Sequence, residues 1–403
     1  MSCLCNRRAP VIATTARLPL SYKKSTQERK AITSVTAVYT VLTLDFEDFV
    51  HYCQRGRTVP KTGIIVIVWF MATAVCAAQD APPLAVDPEP VPVLSGYLAF
   101  VPTWDNSTPT LVSIISPIVL VPLGRDFVFE SRAAFEGDFQ RRNGTSGDFT
   151  GAIEKSLDYA ELDYIGNRYV TLTVGRFLTP FNIFNERLYP NWIRNIQSDP
   201  LIFPVGTGSD NGAMLRGGVS VEKDLSLNYA FYFSALSTAD YFESERHTGA
   251  RVSLFLPVER LEIGMSAQHV LQGHPMNRYG FHFQWQPART PIELRAEAAY
   301  SKEEGNGLWA EGAYRFRSSP SPELSRAQIV ARTQVFHLGT LPGSNPDLPS
   351  TDMKRTEFGV NYYLTDGWKA LASYGRTFTS SGDSNIWTVG MTYRFVIPLG
   401  PSQ

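Results

Sequence analysis

Arginine is the residue with which this chain could do most chemistry, and its arginines stand in two kinds of place. Arg132, Arg216, Arg251, Arg278, Arg295, Arg332 and Arg394 each fall on the polar side of an alternating stretch, with Glu130 and Glu297 interspersed. Arg187 and Arg194 lie instead in a segment rich in aromatic residues and proline, 179–211, with Tyr189 and Trp192 between them; Arg176 stands just before it. Facing rows of guanidinium and carboxylate around water create a transverse field that orients polar solutes, whereas rings of one sign select ions. The plainer reading is that the strand charges pair with one another and fill a wall. In the same plain reading the aromatic residues of 179–211 pin a loop by packing. For Arg176, Arg187, Tyr189, Trp192 and Arg194 the expectation is a constriction that touches solute. For the strand residues it is a lumen lining.

Catalytic and metal chemistry has little to stand on. His247, His269, His274, His282 and His337 show no metal-ligand spacing, and there is no His-Glu-x-x-His helix, Walker loop or Gly-x-Ser-x-Gly turn. Asp210, in Gly208-Ser-Asp-Asn-Gly212, reads as a polar turn before it reads as a calcium ligand. No catalytic residue, metal or cofactor is therefore expected. An outer-membrane hydrolase would need a nucleophile, a His and an acid to converge, and nothing in the sequence places Ser234 and His247 that way. A barrel plugged by its own loop, with a structural or adhesive role, is the other alternative.

The elements that must position these residues are strands. From Leu94 onward the chain reads as 16 alternating runs: 94–104, 110–121, 125–137, 152–165, 168–178, 213–222, 225–235 and 247–256, then 260–271, 277–286, 291–301, 307–317, 326–338, 354–364, 367–378 and 385–397. Ile292, Leu294, Ala296, Ala298 and Tyr300 alternate with Glu293, Arg295 and Glu297, which is the period-two signature of a strand with unlike faces. Runs of about ten residues suit a tilted bilayer crossing, against about five or six in soluble sheets. Connections alternate too. Pro122–Gly124, Gly166-Asn167, Lys223-Asp224, Pro257–Glu259 and Thr365-Asp366 are short, whereas Asp138–Gly151, 179–212, Leu236–Arg246 and Gly339–Met353 are long. Outer-membrane barrels have short periplasmic turns and longer external loops; Ser318–Ser325 is the one discordant turn. Tyr164, Tyr300, Tyr314, Tyr362, Tyr393, Trp285 and Trp387 fall near run ends, where interfacial girdles form. A parity change between Tyr159 and Leu162 predicts a bulge, and Pro117 weakens the second run. The expected fold is an all-β transmembrane antiparallel barrel of about 16 strands, its long third external loop folded inward.

Composition divides the chain. Residues 1–78 hold all four cysteines and 10 of the 37 basic residues, leaving 27 basic and 34 acidic residues in 79–403. That balance argues against a nucleic-acid partner, and a cysteine-free remainder holds no disulfide framework. Gly63–Val75 is apolar, preceded by Arg55, Arg57 and Lys61 and followed by Ala77 and Ala78, as in a secretory signal peptide cleaved near Ala77 or Ala78. The expected organisation is an upstream extension or misplaced start (1–58), a signal peptide (59–78), a Pro-rich tether (79–93), the barrel (94–397) and a short tail (398–403).

Leu157-Asp-Tyr-Ala-Glu-Leu-Asp-Tyr164, Val174-Gly-Arg-Phe-Leu-Thr-Pro-Phe181 and the long third loop resemble the phosphate-selective porin O and P family, and Tyr393-Arg394-Phe395 is similar to barrel ends read by the outer-membrane assembly machinery. The sharp likeness is confined to about 157–181. It implies a 16-stranded, often trimeric pore in the outer membrane of a Gram-negative-type bacterium, with the third loop constricting passage of small hydrophilic or anionic solutes. Its partners would be outer-membrane lipid, the barrel-assembly machinery and two further copies in a homotrimer. Phosphate-selective members are rich in pore lysines, whereas the barrel region here has only Lys155, Lys223, Lys302, Lys354 and Lys369. A general porin is the expectation the residues carry.

Overall fold

A computed structural model describes residues 91–400, apart from 107, 144–145, 168, 223, 240–241 and 342–344. The upstream extension, the signal peptide with its cleavage site, residues 79–90 of the tether and residues 401–403 lie outside the described residues.

The alternating runs become β1 (Val93–Asp105), β2 (Thr108–Leu123), β3 (Phe127–Asn143), β4 (Ser146–Asn167), β5 (Val170–Leu178), β6 (Ser209–Glu222), β7 (Leu225–Ala235) and β8 (His247–Leu256). They continue as β9 (Leu261–Val270), β10 (Asn277–Trp285), β11 (Ile292–Ser301), β12 (Gly305–Arg315), β13 (Ala327–Leu338), β14 (Met353–Tyr363), β15 (Trp368–Thr379) and β16 (Gly382–Pro398). Each strand pairs antiparallel with its sequence neighbours, and β1 pairs with β16 from Val93↔Pro398 to Asp105↔Ile386, closing the barrel. The barrel thus begins and ends one residue beyond the expected 94–397.

Burial is inverted relative to a soluble protein. Along β9, Glu262, Ser266 and Gln268 are buried while Ile263 and Met265 are exposed; along β13, Gln328, Arg332 and Gln334 are buried and Ile329 is exposed. Exposed Leu, Ile, Val and Phe on every outward face form the surface that lipid covers. Aromatic pairs mark its borders: Phe127 with Tyr164 (5.0 Å) and Trp368 stacked on Tyr393 (4.5 Å) at the end of the short turns, Tyr374 with Trp387 (4.5 Å) at the other.

Three local expectations meet the structure at different points. The bulge lies at Asp158, skipped between the pairs Arg132↔Tyr159 and Ala133↔Leu157, just before the parity change that signals it. At Pro117 the β2–β3 ladder passes from Ile115↔Phe135 to Ile118↔Arg132, as a proline without an N–H requires. The expected loop Asp138–Gly151 is wrong: β3 and β4 pair on through Asp138↔Ala152 to Asn143↔Ser146. Above the lipid neither face need be apolar, so the alternation vanishes while the ladder continues. The discordant turn after β12 carries one helical turn, Pro322–Ser325, capped by the Ser321 hydroxyl, which accepts from Leu324 N–H.

Candidate functional site

The segment between β5 and β6 is a loop from Thr179 to Gly208; Ser209, Asp210 and Asn211 already pair with Leu178, Phe177 and Arg176, so it ends earlier than the expected 211. Its base is tied shut. Thr179 N–H and Asn185 Nδ2 both donate to Gly208 O (3.0 and 2.8 Å), and the Thr179 hydroxyl donates to Asp210 Oδ2 (2.6 Å), which also meets His247 Nε2 (2.9 Å).

From that base the loop turns into the bore. A short π-helical turn, Phe184–Leu188, starts on Glu297, whose Oε1 accepts the N–H groups of Ile183 and Phe184 (2.7 Å each) and whose Oε2 accepts Trp309 Nε1–H (3.0 Å). Phe181, Ile183, Phe184, Leu188, Leu201, Ile202 and Val205 then pack on Ala299, Trp309 and Phe336 of the inner wall. Where backbone must come closest, the wall is glycine: a Cβ on Gly280 would lie 2.3 Å from Asn182 Oδ1, and one on Gly307 2.7 Å from Ile202 Cγ2.

Farther along, the loop meets further strands. Tyr97 of β1 donates to Asn191 Oδ1 (3.2 Å), Trp192 packs beside Tyr97, Ala99, Val101 and Ile114, and the Lys369 ammonium of β15 donates to Trp192 O (2.9 Å) and Arg194 O (2.6 Å). Asn361 Nδ2 donates to Asn195 O (3.0 Å), Asn195 Nδ2 to Glu311 (2.8 Å), and Gln334 Oε1 accepts Leu201 N–H (2.8 Å). The loop therefore lies inside the barrel and is hydrogen-bonded to β1, β11, β12, β13, β14 and β15.

The register places Glu130, Arg132, Arg216, Arg251, Arg278, Arg295, Glu297, Arg332 and Arg394 on the inner parity of their strands. Most are committed to partners. Arg132 donates to Asp158 (2.7 Å), and Glu130 accepts the Tyr159 hydroxyl (2.6 Å). Arg278 grips Glu304 through two nitrogens (2.7 and 2.6 Å) and Glu245 through a third contact (2.7 Å). Arg295 pairs with Glu293 (2.5 Å) and Arg332 with Glu357 (2.8 Å). Arg251 and Arg216 converge on Glu186 of the loop, and Arg216 also reaches Glu161 (3.3 Å). The wall reading thus describes these pairs, several of which exist to hold the loop. Arg394 differs: its side chain makes no ion pair or hydrogen bond among the described residues, and its guanidinium lies 4.7 Å over the Trp192 ring.

The loop residues separate as well. Arg187 is partly exposed and bonds Glu262 (2.6 Å). Arg194 is buried, donates to Tyr189 O (2.5 Å) and Gln197 O (2.8 Å), pairs with Asp199 (2.7 Å) and lies 4.7 Å over the Tyr189 ring. Tyr189 stacks on Phe203 at 5.4 Å. Arg176 does not belong with them. It shares the parity of lipid-facing Leu172 and Val174, and its guanidinium bonds Leu157 O (2.7 Å) and Glu243 O (3.0 Å) at the rim.

Sequence reasoning missed Glu186, Lys369, Trp309 and Asn361 as fixings of the loop. Trp309 carried a signal, because a large aromatic on the polar parity of a strand, beside Glu311, must be covered by protein. The other three carried none. Open space remains under the loop at the end of the short turns, a chamber of about 390 Å³. A second of about 350 Å³ lies at the opposite rim near Asp105, Arg355 and Asp383. The cross-strand pair Glu136↔Glu154 adds acid to the inner wall.

Solved structures similar to the chain include the following two. An anion-selective porin from Comamonas acidovorans matches with a TM-score of 0.50 at 12% identity, over 76% of this chain and 100% of that one. OmpF of Salmonella typhi, in complex with daunomycin, matches with a TM-score of 0.52 at 12% identity, over 75% of this chain and 97% of that one. At such identity the likeness establishes the fold, which is that of outer-membrane porins. No protein-family model and no curated protein matches the chain.

Proposed function

We propose that this protein is a passive porin of the outer membrane, through which small hydrophilic or anionic solutes diffuse along a water-filled lumen narrowed by the loop from Thr179 to Gly208. The observation that carries the reading is the loop itself, folded inside a closed barrel and hydrogen-bonded to β1 and to β11. A loop so held narrows a passage reproducibly, which a freely moving one does not. Arg187, Tyr189, Trp192 and Arg194 form the constriction in this reading, with Arg187 and Arg394 as the cations that meet solute because they are the most accessible. The resemblance to phosphate-selective porins O and P supports the porin class, and the scarcity of lysine favours a general over a phosphate-specific pore. Delivery through a signal peptide, insertion by the barrel-assembly machinery and assembly as a homotrimer belong to the same reading; no catalytic activity does.

The test is reconstitution into a planar bilayer under a salt gradient. Stepwise conductance with a reversal potential toward the anion is the expected result. A correctly folded barrel that never conducts would sink the porin reading in favour of a plugged structural or adhesive barrel.

A further inference from the structure

The chamber under the loop is not lined evenly. Arg187, Arg295, Lys369 and Arg394 contribute four cations to its lining, against the two acids Glu293 and Asp366. The commitments of these groups decide what is left. Glu293 is taken by Arg295 through bonds of 2.8 and 2.5 Å, and Arg187 is taken by Glu262. Lys369 directs its ammonium at carbonyls of the loop, donating to Trp192 O and Arg194 O rather than to a carboxylate. Arg394 is uncommitted apart from its contact with Trp192.

A second observation points to the same spot. Thr392 stands two residues before Arg394 on the same inner face of β16 and is the cross-strand partner of Lys369. It is 1% exposed, and its hydroxyl has no hydrogen-bond partner among the described residues. A buried hydroxyl left unpaired costs about 1–3 kcal/mol, so such a group marks a place where a partner belongs.

We propose that the chamber is a binding subsite for a small oxyanion, an organic carboxylate, held by the Arg394 guanidinium with Thr392 and Lys369 beside it. The fork of a guanidinium matches the two oxygens of a carboxylate, and the Thr392 hydroxyl two residues away on the same face is a buried donor still without a partner among the described residues. A cation is disfavoured by the excess of positive charge. A neutral polyol would leave the Arg394 charge unanswered. The subsite rests on the channel reading in that solute reaches it along the lumen. It lies at the end of the barrel with the short turns, between the loop and Asp366, so that a carboxylate passing the loop is held once more before release.

The test is calorimetric titration of the full-length protein in detergent at low salt with succinate, inorganic phosphate and glycerol, with bilayer conductance recorded on the same preparations. Saturable succinate binding, weakened about 10-fold or more in Arg394→Gln and also weakened in Thr392→Val, is the expected result; a tenfold change corresponds to about 1.4 kcal/mol. Arg376→Gln, which alters an exposed arginine paired with Asp383 at the other rim, should bind as the wild type does. Phosphate binding tighter than succinate would overturn the carboxylate assignment. Absence of saturable binding, or binding untouched by both substitutions, would overturn the subsite even if channels form. Succinate binding without channels would instead refute the porin reading and leave the subsite standing.

Discussion

Lys369→Met is the substitution whose effect can be worked furthest from the structure. The methionine keeps the stem and the volume but removes the ammonium that donates to Trp192 O at 2.9 Å and Arg194 O at 2.6 Å; the contact to Asn191 O, at 3.5 Å, is too long to count. A hydrogen bond from a charged donor contributes about 1.5 kcal/mol at the low end, so two amount to about 3 kcal/mol. Removing a buried charge also relieves desolvation, which offsets part of that loss and leaves about 2 kcal/mol. The barrel ladder is untouched, so the whole cost falls on the segment from Pro190 to Asn195. A local opening made about 2 kcal/mol easier raises amide exchange there about 30-fold. Hydrogen exchange read by mass spectrometry on peptides covering 189–197 measures it, with β9 and β10 peptides as internal standards. The Ile193 and Arg194 N–H groups, both bonded to Pro190 O, report directly. Unchanged protection in 189–197 would refute the claim that Lys369 holds the loop. Equal loss of protection across the strands would show instead that the lysine supports the barrel.

Gly280→Leu should displace the start of the loop, since even a Cβ there would sit 2.3 Å from Asn182 Oδ1, and the single-channel step should differ from wild type; an identical step would show that the loop does not set the bore. Arg187→Ala should reduce the preference for anions in a salt-gradient measurement. Arg194→Ala, which removes a buried residue bonded within the loop, should raise current noise more than it changes reversal potential; the opposite ranking would reverse their assigned roles. Burial alone would raise the Glu186 carboxyl, but the Arg251, Arg216 and Arg187 guanidinium groups outweigh it and hold the carboxyl below its ordinary value of 4.5. A lowered carboxyl contributes its stabilisation above the unfolded value and loses it only as pH falls through the folded one. Conductance steps should therefore be the same at pH 7 and pH 4.5, and a change already complete at pH 5 would contradict the pairing. Arg278→Ala leaves Glu304, 1% exposed, without its bidentate partner, and thermal unfolding in detergent should show a loss of about 3–5 kcal/mol.

The strands were legible because the barrel has one lipid face and one lumen face, which writes period two into each crossing. The inner parity of Arg251, Arg278 and Arg332 follows from that alternation alone. It fails above the lipid, where the β3–β4 hairpin continues through Phe139-Gln-Arg without any face that must be apolar. Arg176 shares the parity of Leu172 and Val174, so its nearness to the loop along the chain does not decide which way it faces. The loop fixings were illegible for a physical reason. Lys369, Glu186 and Asn361 meet partners up to 177 residues away along the chain, and an irregular segment has no period from which such meetings can be read.

Closure between Val93–Asp105 and Gly382–Pro398 means that the first strand waits for the last. Until β16 is made, a nascent sheet has two raw edges, each a row of unanswered amides that hydrocarbon cannot solvate. A premature stop codon before Gly382 would leave that seam unsealed, however many hairpins had already formed. Such a truncated product has no half-built stopping point in lipid, and clearance by envelope proteases is its expected fate. The gene for this protein should accordingly tolerate insertions at its loop tips far better than the loss of its final strand.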